Sequence, residues 1–313
     1  METKLRFGED GTFKIVQFTD LHWQNGEKED RRTRALIERV MAAERPDLVV
    51  FTGDLIYSLD CRDPKQSLLE AVAPVERSGT PWAAVFGNHD SEASVSRAEL
   101  MDALMSQRHC LASPGPKAVH GIGNYALTVA DRDGVPRAAI YCLDSGSYSE
   151  DPGISGYDWI RADQIEWYRM QSQRLGKGAK DGALPALAFF HIPLPEYADV
   201  WRTEVCYGHR YEGIACPKFN SGMFAAMKER GDVMGTFCGH DHINDFEGTL
   251  DGIRLCYGRA SGYHTYGRWL FSRGARVIRL RQGERRFETW LRLANGLAVR
   301  HPLPHKPRNP RLG

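Results

Sequence analysis

Five short apolar runs in this 313-residue chain each stop at polar residues for which a packed core has no use. Residues 13–19 (FKIVQFT) end in Asp20-Leu21-His22, and 48–52 (LVVFT) end in Gly53-Asp54. Residues 82–86 (WAAVF) end in Gly87-Asn88-His89-Asp90, 184–190 end in His191, and 233–238 (VMGTFC) end in Gly239-His240-Asp241-His242. Near-continuous apolar runs of this length read as strands covered on both faces. Between the first three lie stretches 30–44 and 65–77, amphipathic at helical spacing, the first stopped by Pro46. Strand, helix, strand, helix, strand predicts parallel βαβ units and an α/β fold. In such folds sites assemble beyond the carboxyl ends of the strands, which is where the polar tips fall.

Further helices are predicted over 96–105, 161–175 and 219–230. Strand pairs are predicted over 124–130 with 137–143, 245–250 with 253–257 around Asp251-Gly252, and 275–280 with 286–292. Segment 195–222 shows no periodicity and is expected to be a structureless active-site lid, since long irregular segments inside compact domains are usually functional. The tail 301–313, with four prolines, is expected to be loosely ordered. With no internal repeat and no linker, residues 1–313 read as a single domain.

Hydrophobic residues make up 42% and charged residues 26%, enough for a sizeable core. A net charge of +1 gives no overall electrostatic footprint for nucleic acid or for an anionic membrane, and neither partner is expected. No apolar stretch approaches the roughly 18–20 residues of a membrane helix. The opening METKLRFGEDGTF lacks the apolar region of a secretory signal, so a cytoplasmic location is expected. The seven cysteines contain no CxxC pair, which disfavours a cysteine zinc site. Cys142, Cys238 and Cys256 fall in apolar runs as buried thiols, whereas Cys206 and Cys216 flank a loop and would pair only in an exported protein.

Collected, the strand-end residues Asp20, His22, Asp54, Asn88, His191, His240 and His242 are two carboxylates, one amide and four imidazoles. His240 and His242, two apart after a strand, can aim at one spot. Mixed nitrogen and oxygen donors in that ratio suit a pair of Fe, Zn or Mn ions rather than Ca or Mg. Two ions about 3.5–4 Å apart need a shared carboxylate, and Asp54 is the natural candidate.

The ordered series Asp20-x-His22, Gly53-Asp54, Gly87-Asn88-His89-Asp90, His191 and Gly239-His240-x-His242 resembles the calcineurin-like metallophosphoesterase superfamily. The stretches FFHIPLPEY (189–197), GHDHINDF (239–246), LCYGRASGYHTYGR (255–268), LDSGSYS (143–149) and GYDWI (156–160) resemble its purple-acid-phosphatase-related branch in plants and fungi. The resemblance implies a four-layer α/β/β/α sandwich. It implies that Asp20, His22, Asp54 and His242 hold one ion and that Asp54, Asn88, His191 and His240 hold the other. It further implies that a water or hydroxide bridging the ions is the nucleophile, while His89 protonates the leaving oxygen or binds the phosphate. Asp90 would then orient His89 or a ligand imidazole, or cap a helix. Purple enzymes place a tyrosine ligand in GDxxY, where this chain has Tyr57, but they lack His22, which fills the same coordination position. His22 is therefore expected to be the ligand, Tyr57 to pack beside it, and the protein not to be purple.

For the substrate, a small phosphorylated molecule is expected. His209, Arg210 and Tyr211 in the lid are candidates for contacting its phosphate or leaving group, as are Asn220 and Ser221; the alternative is solvated loop residues. Arg259, His264, Tyr266 and Arg268 are a second candidate rim. Hydrolysis of a small phosphomonoester or phosphodiester is the leading expectation. The alternatives are a strict phosphodiesterase on cyclic or lipid-like diesters, a phosphoprotein phosphatase, and a metal-bound regulatory module without catalysis.

Overall fold

Each apolar run forms the strand its pattern predicts, and helices separate them. The computed structural model describes residues 5–92, 95–179 and 182–307. The chain opens with β1 (Leu5–Arg6), β2 (Thr12–Phe18), α1 (Lys28–Glu44), β3 (Leu48–Thr52), α2 (Pro64–Ser78), β4 (Trp82–Val85) and α3 (Arg97–Met105). Next come β5 (Tyr125–Ala130), β6 (Pro136–Cys142), α4 (Ala162–Gly176), β7 (Ala186–Phe189), α5 (Glu196–Thr203), β8 (Cys206–Tyr207) and α6 (Met223–Arg230). The last third is strands: β9 (Val233–Cys238), β10 (Glu247–Leu250), β11 (Ile253–Tyr257), β12 (Gly274–Arg281), β13 (Phe287–Leu293), β14 (Ala298–Val299) and β15 (Pro304–His305).

Two mixed sheets result. One has the order β14-β13-β12-β2-β3-β4, with β2, β3 and β4 parallel. The other runs β1-β5-β6-β7-β9-β11-β10-β8-β15, with β6, β7, β9 and β11 parallel. Period-2 alternation decides what lies between them. In β6 and β7, Ile140, Cys142, Leu187 and Phe189 join the core shared with β2–β4 and α1–α3. Ala139, Tyr141, Ala186 and Ala188 face the other way, into a second core with α4, α5 and α6. The layers are therefore helix, sheet, sheet, helix. All five residues of β3 are buried, as a central parallel strand requires; each large apolar side chain there contributes roughly 1.5–3 kcal/mol.

The helices end where local chemistry ends them. Asp63 caps α2 by accepting from Gln66 N with Pro64 in the first turn, and Gly79 closes it at φ 76°. In α1 the buried stripe Leu36, Ile37, Val40 and Met41 faces the sheet. Among the described residues no helix is long and apolar enough to cross a membrane.

Two expectations are corrected. Segment 195–222 is not structureless, because it contains α5 and β8. Tyr197 is fully buried, its hydroxyl 2.9 Å from Thr236 Oγ1, so burial on the sheet stabilises a helix too short to show a pattern. The tail is anchored in part: β15 pairs antiparallel with β8, and the His305 ring stacks on Trp201 at 3.8 Å. Residues 308–313 lie outside the described residues. All seven cysteines are free, Cys206 and Cys216 included.

Candidate metal centre

The polar tips of β2, β3, β4, β7 and β9 meet at the seam between the two sheets. Gln17 ties that seam, its amide donating to Thr52 Oγ1 (2.8 Å) in one sheet and to the Cys238 carbonyl (2.9 Å) in the other. The tips turn sharply. Four of the seven non-glycine residues with positive φ among the described residues are expected ligands: Asp20 (53°), His22 (48°), Asp54 (50°) and His240 (78°). Such strain persists only where surrounding bonds fix it, and around Asp54 they come from Asp90. Its buried carboxylate accepts from Asp54 N (3.0 Å), Gly87 N (2.7 Å) and Ile56 N (3.0 Å). It thus knots the ends of β3 and β4 together and orients backbone, where the sequence suggested an imidazole or a helix cap.

The glycines before the ligands have a spatial cause. A Cβ on Gly87 would lie 2.1 Å from Asp54 Oδ1, one on Gly53 2.4 Å from His191 Nδ1, and one on Gly239 1.9 Å from Thr19 Oγ1. No side chain fits there, so the sequence has none.

Donor atoms of Asp20, His22, Asp54 and His242 form one group and those of Asp54, His191 and His240 a second, each within 4.8 Å of one another. Asp54 Oδ2 is common ground: His22 Nε2 lies 3.3 Å and His191 Nε2 3.2 Å from it. Nδ1 of His240 faces His191 Nε2 at 3.2 Å, and His242 Nε2 is 3.7 Å from Asp20 Oδ1. The ring of His191 is oriented by the Thr52 carbonyl, 2.8 Å from Nδ1. Asn88 Nδ2 donates to Tyr148 Oη (3.0 Å), which leaves Oδ1 as its free donor atom.

Whether cations fit here can be tested on unpaired atoms. Asp20 Oδ2, His22 Nε2, Asp54 Oδ2 and Asn88 Oδ1 are buried without a hydrogen-bond partner. Buried polar atoms are rarely left so, and three of these, on Asp20, His22 and Asp54, belong to residues of one donor group, which is what a metal ion satisfies. Two of the imidazoles are in the form ligands need: burial pushes His240 down to about 3 and His242 well below its ordinary value, keeping both neutral. Burial works to raise Asp54, but His191 and His22 hold it well below the usual carboxylate range. Burial raises Asp20 to about 7, the mark of a carboxylate with too little positive charge around it.

His89 stands at the mouth. Its backbone N–H donates to Asp54 Oδ1 (2.9 Å) and its ring contacts His22 at 5.1 Å. Tyr57 lies flat against His22 (5.7 Å, 13°) and tilted against His89 (4.9 Å), buttressing both rings. Sequence reasoning missed Glu92, whose Oε2 is 2.6 Å from His89 Nδ1 and whose Oε1 accepts from Tyr148 Oη at 2.7 Å. Its spacing of three from His89 was the available signal. Also missed as rim residues were Tyr148 and Tyr157, the latter edge-on to His240 at 4.3 Å.

Of the second candidate rim, Tyr266 lies against His242 (4.3 Å), and its hydroxyl donates to Glu212 Oε2 at 2.5 Å. Arg259, expected there too, is instead buried in an ion pair with Asp245, its guanidinium 3.1 Å over the Phe271 ring. His264 sits 3.4 Å from Asp30, at the start of α1. His209 is 3.4 Å from Asp245 and tilted against Tyr211 (5.1 Å). Arg210 turns to the Glu212 carbonyl (3.1 Å) and Trp201, and Tyr211 takes Arg268 over its ring at 4.3 Å. Asn220 donates to Glu196 (2.7 Å). These lid residues are thus committed to one another and to the HDH turn, through contacts such as Ile243 N to Glu212 Oε1 (2.7 Å).

A sequence model described as calcineurin-like phosphoesterase matches residues 13–244, the span that carries every strand-tip donor. The chain belongs to the calcineurin-like phosphoesterase family. Within it, the chain is 40% identical over 316 residues to "Probable inactive purple acid phosphatase 29" of Arabidopsis thaliana, covering 92% of this chain and 81% of that protein. It is 35% identical to "Phosphatase DCR2" of Saccharomyces cerevisiae, over 93% of this chain and 55% of that protein. A dimetal phosphatase from Danio rerio shares the fold, with a TM-score of 0.59 at 14% identity over 88% of this chain and 98% of the other. So does purple acid phosphatase from yellow lupin seeds, with a TM-score of 0.58 at 12% identity over 95% of this chain and 54% of that one. Calcineurin-like phosphoesterases are dimetal-dependent, in keeping with the two donor groups.

Proposed function

We propose that the chain is a dimetal-dependent phosphoesterase that hydrolyses a small phosphomonoester or phosphodiester. The observation that carries the reading is the pair of donor groups meeting at Asp54 Oδ2, with buried donor atoms unpaired on both sides. Asp20, His22, Asp54 and His242 would hold one ion, and Asp54, Asn88, His191 and His240 the other. When bound, such ions would neutralise charge on phosphoryl oxygens and bring the pKa of a bound water towards neutrality.

The rest falls to the chain's own residues. The buried strand tips exclude bulk water from the floor of the site and hold its donors in place. With Nδ1 engaged by Glu92, His89 has Nε2 available to give a proton to the leaving oxygen. Tyr148, Tyr157 and Tyr266 offer ring and hydroxyl surface around the opening to a leaving group. The "inactive" in its relative's name belongs to that protein; this chain keeps the seven donors and His89.

The reading is tested by metal analysis of purified protein with hydrolysis of an aryl phosphomonoester and an aryl phosphodiester, repeated on Asp54→Ala. Two metals per chain and turnover lost in the variant are expected. A protein that takes up no metal on reconstitution sinks the proposal, and two bound metals with no turnover of either ester remove its catalytic part.

A further inference from the structure

The loop that leaves the metal centre at Tyr266 ends in the most exposed large apolar side chains of the described residues. Trp269 is 87% and Leu270 82% exposed, side by side at the tip. Beneath them is a concavity lined by Arg32, Tyr263, Arg268, Trp269, Leu270 and Arg273, with Ala294 and Asn295 at its far edge and no carboxylate in its wall. Among the described residues none of the three arginines forms an ion pair. Arg32 lies 3.9 Å over the Tyr263 ring, and Arg268 lies over Tyr211. Arg273 donates through Nη2 to the Thr265 (2.6 Å) and Tyr266 (2.9 Å) carbonyls, while its buried Nη1 has no partner. Arg39, seven residues beyond Arg32 and so on the same face of α1, reaches the Ala294 carbonyl at the edge of this concavity.

Two features therefore coincide on one face. An exposed tryptophan and leucine cost solvation free energy in water and gain it at an interface where the ring sits at headgroup level. A group of guanidiniums without carboxylates gains from phosphates, which they bind in bidentate fashion. A phosphate ion would satisfy the arginines and leave the apolar tip wet; an anionic lipid surface satisfies both. The net charge of +1 conceals the patch because it averages over all faces.

We infer that the Trp269–Leu270 tip with the exposed Arg32 and Arg268 is a docking surface for anionic phospholipid membranes, with the buried Arg273 adding positive charge beneath it. The tip enters the headgroup layer and the arginines take lipid phosphates. Because Tyr266, on the same loop, lies against His242, docking brings the rim of the metal centre to the membrane surface. The docking rests on the surface alone and not on the catalytic reading.

The test is co-sedimentation of the full chain with phosphatidylcholine vesicles, with and without phosphatidylserine, across a salt series. Binding to the phosphatidylserine vesicles alone, weakening as salt rises, is expected. Trp269→Ser/Leu270→Ser should weaken it at least tenfold, and Arg32→Gln/Arg268→Gln should weaken it and flatten its salt dependence. Met170→Ser, an exposed position on α4 in the opposite outer layer, should change nothing. All these side chains are exposed, so unchanged thermal unfolding of the variants checks the fold. Absence of binding to phosphatidylserine vesicles overturns the inference, as does wild-type binding by the Trp269/Leu270 variant. So do displacement of inorganic phosphate without vesicle binding, and a tip whose loss only dissolves a dimer.

Discussion

Replacing Gly87 with alanine puts a methyl group where the structure has no volume. Its Cβ would stand 2.1 Å from Asp54 Oδ1 and 2.6 Å from Asp54 N, against 3.4 Å for ordinary contact. The carboxylate must therefore give way by 3.4 − 2.1 = 1.3 Å. The backbone cannot absorb this, because Asp90 ties Gly87 N and Asp54 N to one carboxylate oxygen at 2.7 and 3.0 Å. Overpacking of this kind costs about 1–3 kcal/mol of stability. The larger effect is local: moving a shared ligand by about 1 Å misplaces whatever it holds, and turnover should fall on the order of 10²-fold. Metal stoichiometry by mass spectrometry, thermal unfolding and ester hydrolysis are read on the same preparation. Gly79→Ala is the control: its φ is 76° but nothing lies within 4 Å of the added Cβ. It should lose about 1 kcal/mol and keep its metals. A Gly87→Ala protein with two ions and wild-type turnover would refute the packing account of the glycine.

Burial opposes a charged His191, yet the carboxylates of Asp54 and Asp20 raise it to about 9. Above the Asp20 value of about 7 the metal-free site still holds the His191 proton, which a metal must displace, so affinity should rise up to tenfold per pH unit until pH reaches about 9. Calorimetry at about pH 8, between the two values, in buffers of different ionisation heat should show about one proton released; affinity falling as pH rises would contradict the assignment. Glu92→Gln should leave metal content intact and cut turnover on the order of 10²-fold for esters with poor leaving groups, with little effect on activated aryl esters. An equal loss on both ester types would mean that Glu92 does not act through His89. Asp90→Ala strands three buried N–H groups and should cost about 3 kcal/mol or more, read as a lower denaturant midpoint; a shift under 1 kcal/mol (roughly one hydrogen bond) would show that water replaces the carboxylate.

The strands and the donor set were legible because both follow from short-range pattern. A strand buried on both faces must be apolar throughout, so Asp20, Asp54, Asn88, His191 and His240 stand out where such runs stop. What was hidden depends on partners far along the chain. Helix α5 is held by Tyr197 reaching Thr236, and the tail by His305 on Trp201, contacts that no local periodicity announces. Arg259 and His264 carry the right chemistry for a rim, but Asp245 and Asp30 claim them. Glu92 lay close in sequence to His89, yet only the tight turn over His89–Ser91 brings its carboxylate to the imidazole. The exposed tip at Trp269 and Leu270 left no trace in composition, since two side chains do not move an average.

The pairing of β2 with β12 has a consequence in time. The strand that delivers Asp20 and His22 is flanked by β3 on one side and on the other by residues 274–281, so the partner of Thr12, Arg281, is made 269 residues later. A nascent chain can make β2, β3 and β4 early, but the open edge of β2 waits for β12. Pairings so distant in sequence make folding slow and leave that edge exposed to other chains meanwhile. Half-made protein would offer Asp20, His22 and Asp54 without His191, His240 and His242, a site able to catch an ion only weakly. Assembly of the metal centre is thereby deferred until the chain has passed His242 and β12.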